Sequence, residues 1–257
     1  MTDSTYRTSS SSSVRDAQLP VRSVFTVRAG GVSVEPHDTF NLSTAVGDDP
    51  RAVEANRDAV AEMMGGPVIF MRPEHGARVV TVDASLATDA DVAPADVLIT
   101  TLPGTSLVAL AGDCVPLLMH DATTGAVVAA HVGRKGLVVG AVEASVGALD
   151  KLRRTPADRT GVTVSVGPAI CGRCYEVPAD MAAEVVAAHP AAQATTKWGT
   201  TGLDVRAAVV AQLTELGVRR VVEDRRCTYE DPQLYSFRRD GMTGRHGGVI
   251  RCDGAPT

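Results

Sequence analysis

Short apolar segments dominate the middle of the chain. Between residues 67 and 131 they are separated by Gly, Pro or Asp, and they read PVIFM, ARVVTV, ADVLITT, TSLVALAG, CVPLLM and AVVAAH. Short apolar runs with such boundaries are typical of buried strands. Because these strands follow one another without helices between them, the pattern favours a mixed sheet over a strict alternation of strands and helices.

Apolar residues at helical spacing lie on both sides of this region. A first helix is predicted in GDDPRAVEANRDAVAEMM, where Asp49 can cap the N-terminus and Pro50 suits the first helical position. Further helices are predicted in GLVVGAVEASVGALDKL, VPADMAAEVVAAHP and DVRAAVVAQLTELGV. Other strands are predicted in VRSVFTVRAGGVS, GVTVSVGPAI, RRVVED and GGVIRC. Together the elements predict one α+β domain.

The N-terminal segment differs from the rest of the chain. Residues 1–20 are serine-rich and lack the apolar core of a secretory signal, so we predict a disordered leader followed by one domain at residues 21–257. Five cysteines, an odd number, without an export signal indicate a reducing cytoplasm. The formal net charge of −5 argues against a nucleic-acid partner, and no apolar run is long enough to span a membrane.

A thiol and imidazoles stand at the ends of predicted strands. Asp113 and Cys114 precede the run VPLLM, His131 follows AVVAA, and His75 lies in a turn before ARVV. A thiolate with two imidazoles suits zinc, and three protein ligands would leave one open position. A carboxylate beside the ligand could orient an imidazole or accept a proton. A Cys–His nucleophile and ordinary buried side chains are the two alternatives.

Two further motifs allow more than one interpretation. CGRC at residues 171–174 is typical of a redox pair or half of a metal site, but a second CxxC is absent, which favours ordinary turn cysteines. SFRRDGMTGRHGG could bind phosphate through its arginines, although a solvated basic loop is the simpler interpretation. The chain contains no GxGxxG, GxxxxGK[ST] or GxSxG motif.

The order of several segments resembles a known family. These segments are TVRAGGVS, FNLSTAVGDDPRAVEANR, EHGARV, GDCVPLLMHD, AAHVGRKG, VGPAICGRCYEV, LDVRAAVVAQL and CTYEDPQLYSFRRDGMTGRHG. They occur in the order seen in the multicopper polyphenol oxidase (laccase-like) domain family. That family is associated with zinc-dependent purine nucleoside phosphorylase and deaminase activity, and it includes peptidoglycan editing factors. The resemblance extends from about residue 21 to 250.

The resemblance implies a site and a fold. The family's metal ligands fall on His75, Cys114 and His131, and they imply one zinc ion per chain. Copper is not expected, because a copper oxidase would need many histidines and the chain has six. The implied fold is α+β, a single domain with mixed β-sheets layered between helices. Where the family usually reads HAGWRG, this chain reads HVGRKG, with Arg134 in place of Trp and Lys135 in place of Arg.

Our leading hypothesis is a zinc-dependent purine nucleoside phosphorylase that acts on adenosine, inosine, guanosine and methylthioadenosine and also deaminates adenosine. Cys114 and Asp113 are its candidate catalytic residues. The candidates for binding substrate or phosphate are Arg28, Asn41, Lys135 and Arg238.

Two alternatives belong to other classes of function. In the first, a Cys114 thiolate with His131 as its base forms an amidase-like hydrolase that edits a peptidoglycan precursor. In the second, the protein holds zinc but binds a partner in cell-wall synthesis or division without turnover.

Overall fold

The computed structural model describes residues 13–86, 92–155 and 158–255. The helices in these ranges are α1 (Pro50–Met64), α2 (Arg134–Val138), α3 (Ala141–Asp150), α4 (Ala179–Ala188), α5 (Val205–Glu215) and α6 (Phe237–Asp240). The strands are β1 (Val14–Asp16), β2 (Ser23–Thr26), β3 (Val68–Phe70), β4 (Val79–Thr81), β5 (Val97–Thr100), β6 (Ser106–Ala111), β7 (Val115–Asp121), β8 (Val127–Val132), β9 (Val162–Val166), β10 (Gln193–Thr195), β11 (Thr201–Leu203), β12 (Arg220–Glu223) and β13 (His246–Arg251).

The strands form two large mixed sheets and one small ribbon. The first sheet has the order β1-β2-β13-β6-β3, and the second has the order β12-β9-β7-β8-β5-β4. Strands β3 and β6, β4 and β5, and β9 and β12 pair in parallel, whereas the other neighbours in these two sheets are antiparallel. Strands β10 and β11 form the separate ribbon. The prediction of mixed sheets is therefore confirmed.

The two sheets pack face to face, and helices cover their outer faces. Leu107 of the first sheet and Leu118 of the second belong to one buried cluster between the sheets. On the other face of β7, Leu117 packs in a cluster that includes residues of α3 and α5. Val60 of α1 packs with Val108 on the outer face of the first sheet. Because β7 is buried on both faces, its apolar residues run without alternation, and the predicted α+β domain with sheets between helices is confirmed.

Helix α1 begins and ends where the sequence predicts. The Asp49 side chain accepts a hydrogen bond from the backbone N–H of Arg51, and Pro50 occupies the first helical position. Gly65 ends the helix in a left-handed conformation with φ of 72°. Local sequence signals thus predict both ends of this helix.

The segment after β8 differs from the prediction. We expected one helix over GLVVGAVEASVGALDKL, but the structure has the short α2 and then α3. Gly140 separates them with a φ of 90°, a left-handed conformation that glycine adopts without steric strain. The apolar spacing of Val142, Val146 and Leu149 correctly predicted the buried side of α3.

The N-terminal boundary also differs from the prediction. Residues 1–12 of the predicted leader lie outside the described residues. Strand β1 nevertheless forms before residue 20, because Val14 pairs with Thr26 and Ala17 is buried between the sheets. Part of the segment predicted as the leader, from Val14 to Ala17, therefore takes part in the fold. Within the described residues, no helix combines the length and hydrophobicity needed to cross a membrane.

Candidate metal centre

His75, Cys114 and His131 meet at one end of the second sheet. Strands β7 and β8 are antiparallel neighbours in which Pro116 pairs with His131, so Cys114 at the start of β7 lies beside the end of β8. His75 reaches the same place from the loop between β3 and β4. One side-chain donor atom from each of the three residues lies within 4.8 Å of the other two. The sequence-based grouping is therefore reproduced in space.

Asp96, to which no sequence pattern pointed, holds this cluster together. Its Oδ1 lies 2.9 Å from Nδ1 of His131 and accepts a hydrogen bond from the backbone N–H of His75 at 2.9 Å. Its Oδ2 accepts a bond from the N–H of Gly76 at 2.8 Å. The only local signal is an aspartate before the strand segment VLIT, which also suits an ordinary turn.

The backbone of His75 is strained, and Asp96 supports it. His75 has a φ of 61°, in the left-handed region that residues other than glycine seldom adopt. Strain of this kind persists only where surrounding contacts impose it. The hydrogen bond from its N–H to Asp96 is one such contact. The Asp96 carboxylate thus positions His131 by bonding to its ring and positions His75 by bonding to its backbone N–H.

Mutual electrostatics favour charged forms of these side chains. Burial opposes ionisation of Asp96, but the hydrogen bonds from His131 and Gly76 lower its pKa below the ordinary value. Burial alone would raise the pKa of Cys114, yet His131 and His75 lower it. Burial alone would lower the pKa of His131, but the Cys114 thiolate and Asp96 raise it. Cys114 is therefore poised as a thiolate, the form that either a metal ligand or a nucleophile requires.

The donor set fits a metal ion such as zinc. Thiolate sulfur and imidazole nitrogen are the ligands that zinc prefers, and catalytic sites use three protein ligands. Because Nδ1 of His131 faces Asp96, Nε2 is the nitrogen left for a metal. A carboxylate behind a ligating histidine is the usual outer support of such sites. These residues can therefore hold a metal ion and leave one position open.

Gly133 lets the three ligands approach one another. A Cβ atom at this position would stand 2.9 Å from Sγ of Cys114 and 3.0 Å from Cδ2 of His75. Both separations are shorter than ordinary contacts between these atoms. Gly133 is thus required by the lack of space beside the cluster. Its backbone conformation does not itself require glycine, because its φ of −89° is open to any residue.

Asp113 lies beside Cys114, but its carboxylate is directed to the C-terminal loop. Its Oδ1 accepts a hydrogen bond from the Thr228 hydroxyl at 2.6 Å, and its Oδ2 accepts one from the backbone N–H of Arg238 at 2.7 Å. Burial raises its pKa, while Ser236 and Thr228 oppose the shift. Both oxygens are occupied as acceptors. This arrangement suits a residue that positions the loop.

Three arginines stand near the cluster. Burial and the Cys114 charge raise the pKa of Tyr175, and Arg134 and Arg238 oppose that shift from their places around the phenol. The Arg238 guanidinium lies over the Tyr175 ring, 5.0 Å from its centroid. Burial lowers the pKa of Arg245, opposed by the charges of Cys114 and Asp113. Arg134 and Arg238 beside Tyr175 thus offer positive charge that an anionic substrate group could meet.

The structure places the other sequence-based candidates differently. Arg28 donates to the Asp38 carbonyl and pairs with the carboxylates of Asp38 and Asp240. Asn41 is wholly buried, and its side chain bonds to Ser43, Asp48 and the backbone N–H of Arg245. Lys135 is exposed on α2. Their roles in substrate binding stay predictions.

The C-terminal loop is packed, contrary to the interpretation as a solvated basic loop. Arg239 donates to the carbonyls of Thr228 and Leu234. Arg245 donates to two carbonyls of its own segment, and His246 is wholly buried with its pKa lowered to about 3 by burial and by Arg226. Buried carbonyl groups need donors, and the guanidinium groups supply them. The arginines of this loop thus stabilise its fold in addition to giving it a positive charge.

A cleft of about 370 Å³ opens beside Arg238. Its lining includes Glu176, Trp198 and Tyr229. The Trp198 and Tyr229 rings meet edge to face at 6.0 Å, and the Lys197 ammonium lies over both. The cleft is open to solvent and combines aromatic rings with charged groups.

Sequence comparison identifies relatives along nearly the whole chain. The sequence profile of the family described as "Multi-copper polyphenol oxidoreductase laccase" matches residues 22–253. A purine nucleoside phosphorylase of Streptomyces coelicolor is 47% identical over 232 residues, covering 89% of this chain and 94% of the relative. One of Mycobacterium tuberculosis is 46% identical over 238 residues, covering 91% and 93%.

Solved structures share the fold. A Neisseria meningitidis protein of family DUF152 superposes with a TM-score of 0.82 at 30% identity, covering 95% of this chain and 100% of its own. The YlmD protein of Geobacillus stearothermophilus superposes with a TM-score of 0.81 at 26% identity, covering 95% and 98%. The α+β arrangement is therefore common to these proteins.

Gly133→Ala should weaken metal binding, because the added methyl group would force Cys114 and His75 apart. We expect the affinity for Zn²⁺ or Co²⁺, measured by titration of the metal-free protein, to fall at least tenfold. Gly147→Ala in α3 is the matched control, since its Cβ would meet nothing within 4 Å and alanine stabilises a helix by roughly 0.5–1 kcal/mol over glycine. Equal affinity in the two variants would contradict the geometry.

Asp96→Asn should also weaken metal binding. The amide has one acceptor oxygen, whereas Asp96 accepts from His131, His75 and Gly76 with two. Loss of such an outer partner typically reduces metal affinity by about 10–100-fold. Metal titration with a circular dichroism melt to check folding measures this effect, and Asp83→Asn, at an exposed turn, is the control. Unchanged affinity in a folded Asp96→Asn protein would remove Asp96 from the centre.

Proposed function

The chain belongs to the multi-copper polyphenol oxidoreductase laccase family, and we propose that within it the protein acts as a zinc-dependent purine nucleoside phosphorylase. One observation supports this proposal above the others: donor atoms of His75, Cys114 and His131 lie within 4.8 Å of one another. Two arginines, Arg134 and Arg238, lie beside the neighbouring Tyr175. The names of the relatives from Streptomyces coelicolor and Mycobacterium tuberculosis agree with it. The proposed substrates are adenosine, inosine, guanosine and methylthioadenosine, each with inorganic phosphate.

Zinc is preferred to copper because of the number and chemistry of the donors. A multi-copper oxidase needs several histidine-rich sites, yet within the described ranges one His/Cys/Asp/Glu cluster contains histidine. Its three donors suit a single borderline-soft ion. When bound, zinc supplies a Lewis acid that polarises an oxygen ligand. His75, Cys114 and His131 would hold it, with Asp96 fixing the ring of His131.

The reaction requires an anion to be held next to a nucleoside. In phosphorolysis a phosphate oxygen forms a bond to C1′ of the ribose, while the bond from C1′ to the purine breaks and the base leaves with its electron pair and takes up a proton. Phosphate in this position needs cationic partners with several donors. Arg134 and Arg238 are suited to that task, since both stand around Tyr175 close to the Cys114 charge. Neutralising phosphate also reduces its repulsion of the departing base.

Asp113 acts in this proposal as a positioning residue. Its bond to the N–H of Arg238 sets the start of α6, and Arg238 then donates to the Glu176 carbonyl. The sequence suggested a proton-transfer role instead. The cleft lined by Cys174, Glu176, Trp198, Tyr229 and Arg238 would receive the nucleoside. Deamination of adenosine is a further activity that we predict for the same centre.

Purified protein should convert inosine and phosphate to hypoxanthine and ribose 1-phosphate, and Cys114→Ala should lose at least a hundredfold in kcat/KM because a metal ligand is missing. Chromatography of the products with and without phosphate separates phosphorolysis from hydrolysis, and ammonia release from adenosine reports deamination. Cys252→Ala is the control, because Cys252 is buried and its thiol donates to the Gly125 carbonyl.

Chelation distinguishes the leading proposal from a thiol hydrolase. Under the metal proposal, exhaustive removal of zinc abolishes turnover and added Zn²⁺ restores it. Activity on a muropeptide that persists without metal but is lost in Cys114→Ala would instead establish the Cys–His nucleophile. Equal phosphorolysis by wild type and Cys114→Ala would contradict the site assignment.

Arg238→Met should raise KM for phosphate by about 10–100-fold, since hydrogen bonds to charged groups contribute roughly 1.5–3 kcal/mol, and should change KM for inosine less. Arg219→Met is the matched control. Arg219 is exposed and lies far from the candidate site. It precedes β12, whose first residue pairs with Thr163. Thr163 in turn pairs with His120, at the opposite end of β7 from Cys114. An unchanged KM for phosphate in Arg238→Met would exclude this guanidinium as the phosphate ligand.

A further inference from the structure

A second cluster of metal-ligating side chains lies apart from the candidate metal centre. Cys171, Cys174, Cys227 and Glu230 each offer a donor atom, and all four atoms lie within 4.8 Å of one another. The Sγ of Cys174 and Oε1 of Glu230 are 3.4 Å apart. In a tetrahedral zinc site with Zn–S bonds of about 2.3 Å, neighbouring sulfurs stand roughly 3.8 Å apart. The four donors therefore need only a small contraction to surround one ion.

The cluster is built from two similar turns. The first is the CGRC turn, closed by the N–H of Cys174 bonding to the Cys171 carbonyl at 2.9 Å. The second is CTYE, in which the N–H of Glu230 bonds to the Cys227 carbonyl at 3.1 Å. Each turn presents two donors with two residues between them, which is a spacing typical of structural zinc sites. The glutamate takes the place of the missing cysteine in a second CxxC.

The backbone holds the two turns together. A parallel β-bridge joins Ala169 to Cys227, immediately before the first turn and at the start of the second. The N–H of Cys171 also donates to Sγ of Cys227 at 3.3 Å. Cys174 and Cys227 are buried, whereas Glu230 is exposed. The sulfurs of Cys174 and Cys227 thus lie in the interior, and half-buried Cys171 and the Glu230 carboxylate close the site toward the surface.

The charges around the cluster suit a bound dication. Three thiolates and one carboxylate would carry a charge of about −4, which zinc reduces to about −2. Lys197 stands 3.5 Å from Glu230 and offsets part of the remainder. The same ammonium lies over the rings of Trp198 and Tyr229.

We propose that Cys171, Cys174, Cys227 and Glu230 bind a structural Zn²⁺ ion. Four protein ligands leave no open position, so this site differs in kind from the three-ligand centre. Binding releases the thiol protons to solvent. The ion crosslinks two loops that both reach Asp113: the N–H of Ile170 donates to the Asp113 carbonyl, and Thr228 donates to its carboxylate. The second zinc thereby stabilises the support of the first.

Elemental analysis of the full-length protein and matched variants tests this site. Wild type should contain two zinc ions per chain, one for each cluster, and Cys114→Ala should retain one. Cys227→Ser should also retain one, and the double variant none. Cys252→Ser, a buried cysteine outside both clusters, should keep both ions. Because Cys114→Ala isolates the second site, this result is independent of whether the protein proves to be a phosphorylase.

Cobalt substitution identifies the ligands. In the Cys114→Ala background, Co²⁺ should give an intense thiolate-to-cobalt charge-transfer band, and Cys171→Ser or Glu230→Gln in that background should weaken or shift it. These two positions are less buried than Cys227, so they serve if Cys227→Ser fails to fold in a circular dichroism melt. A single zinc in wild type that disappears in Cys114→Ala would overturn the proposal. So would fewer free thiols than cysteines in the denatured metal-free protein, because that result indicates a disulfide in the cluster.

Discussion

The carboxylate of Asp96 is the contact on which the site depends. It joins the ring of His131 on β8 to the backbone of His75 and Gly76 in the loop after β3. Without it, the left-handed backbone of His75 would have no strong polar support at this point. Burial disfavours the ionised carboxylate, but several hydrogen-bond donors offset this effect and keep the pKa of Asp96 low. One side chain thereby turns two separate segments into a single donor set.

The sandwich architecture explains why the site lies where it does. Antiparallel pairing of β7 and β8 brings Cys114 and His131 side by side, and β5 starts beside them because Val97 pairs with Ala130. Buried sheets are stiff, so these positions are held with little freedom. The C-terminal loop adds Arg238, whose backbone N–H donates to Asp113, and Arg245 near this end. The sheet thus positions Cys114 and His131 of the candidate metal centre, and His75 comes from a loop.

Parts of the site could be predicted because their signals are local. Cys114 and His131 each lie next to an apolar run, and a short connection between two such runs indicates a hairpin. His75 was predicted as a metal ligand from its residue type and from the resemblance to the family. Asp96 was missed, since an aspartate before a strand has many uses. The CTYE turn was missed for the same reason: a glutamate is a recognisable ligand only when three thiols are known to surround it.

The sequence by itself determined most of the strands, most of the helices, the α+β class and the residue types of the candidate metal centre. These follow from periodicity, capping and side-chain chemistry, which act over a few residues. The tertiary structure decided which distant residues meet: Asp96 with His131, Asp113 with Thr228, and Cys171 and Cys174 with Cys227. Such meetings depend on how strands pair and sheets pack, and those contacts join segments far apart in the chain. Local sequence patterns do not predict these contacts, because many different residues could satisfy the same buried hydrogen-bonding group.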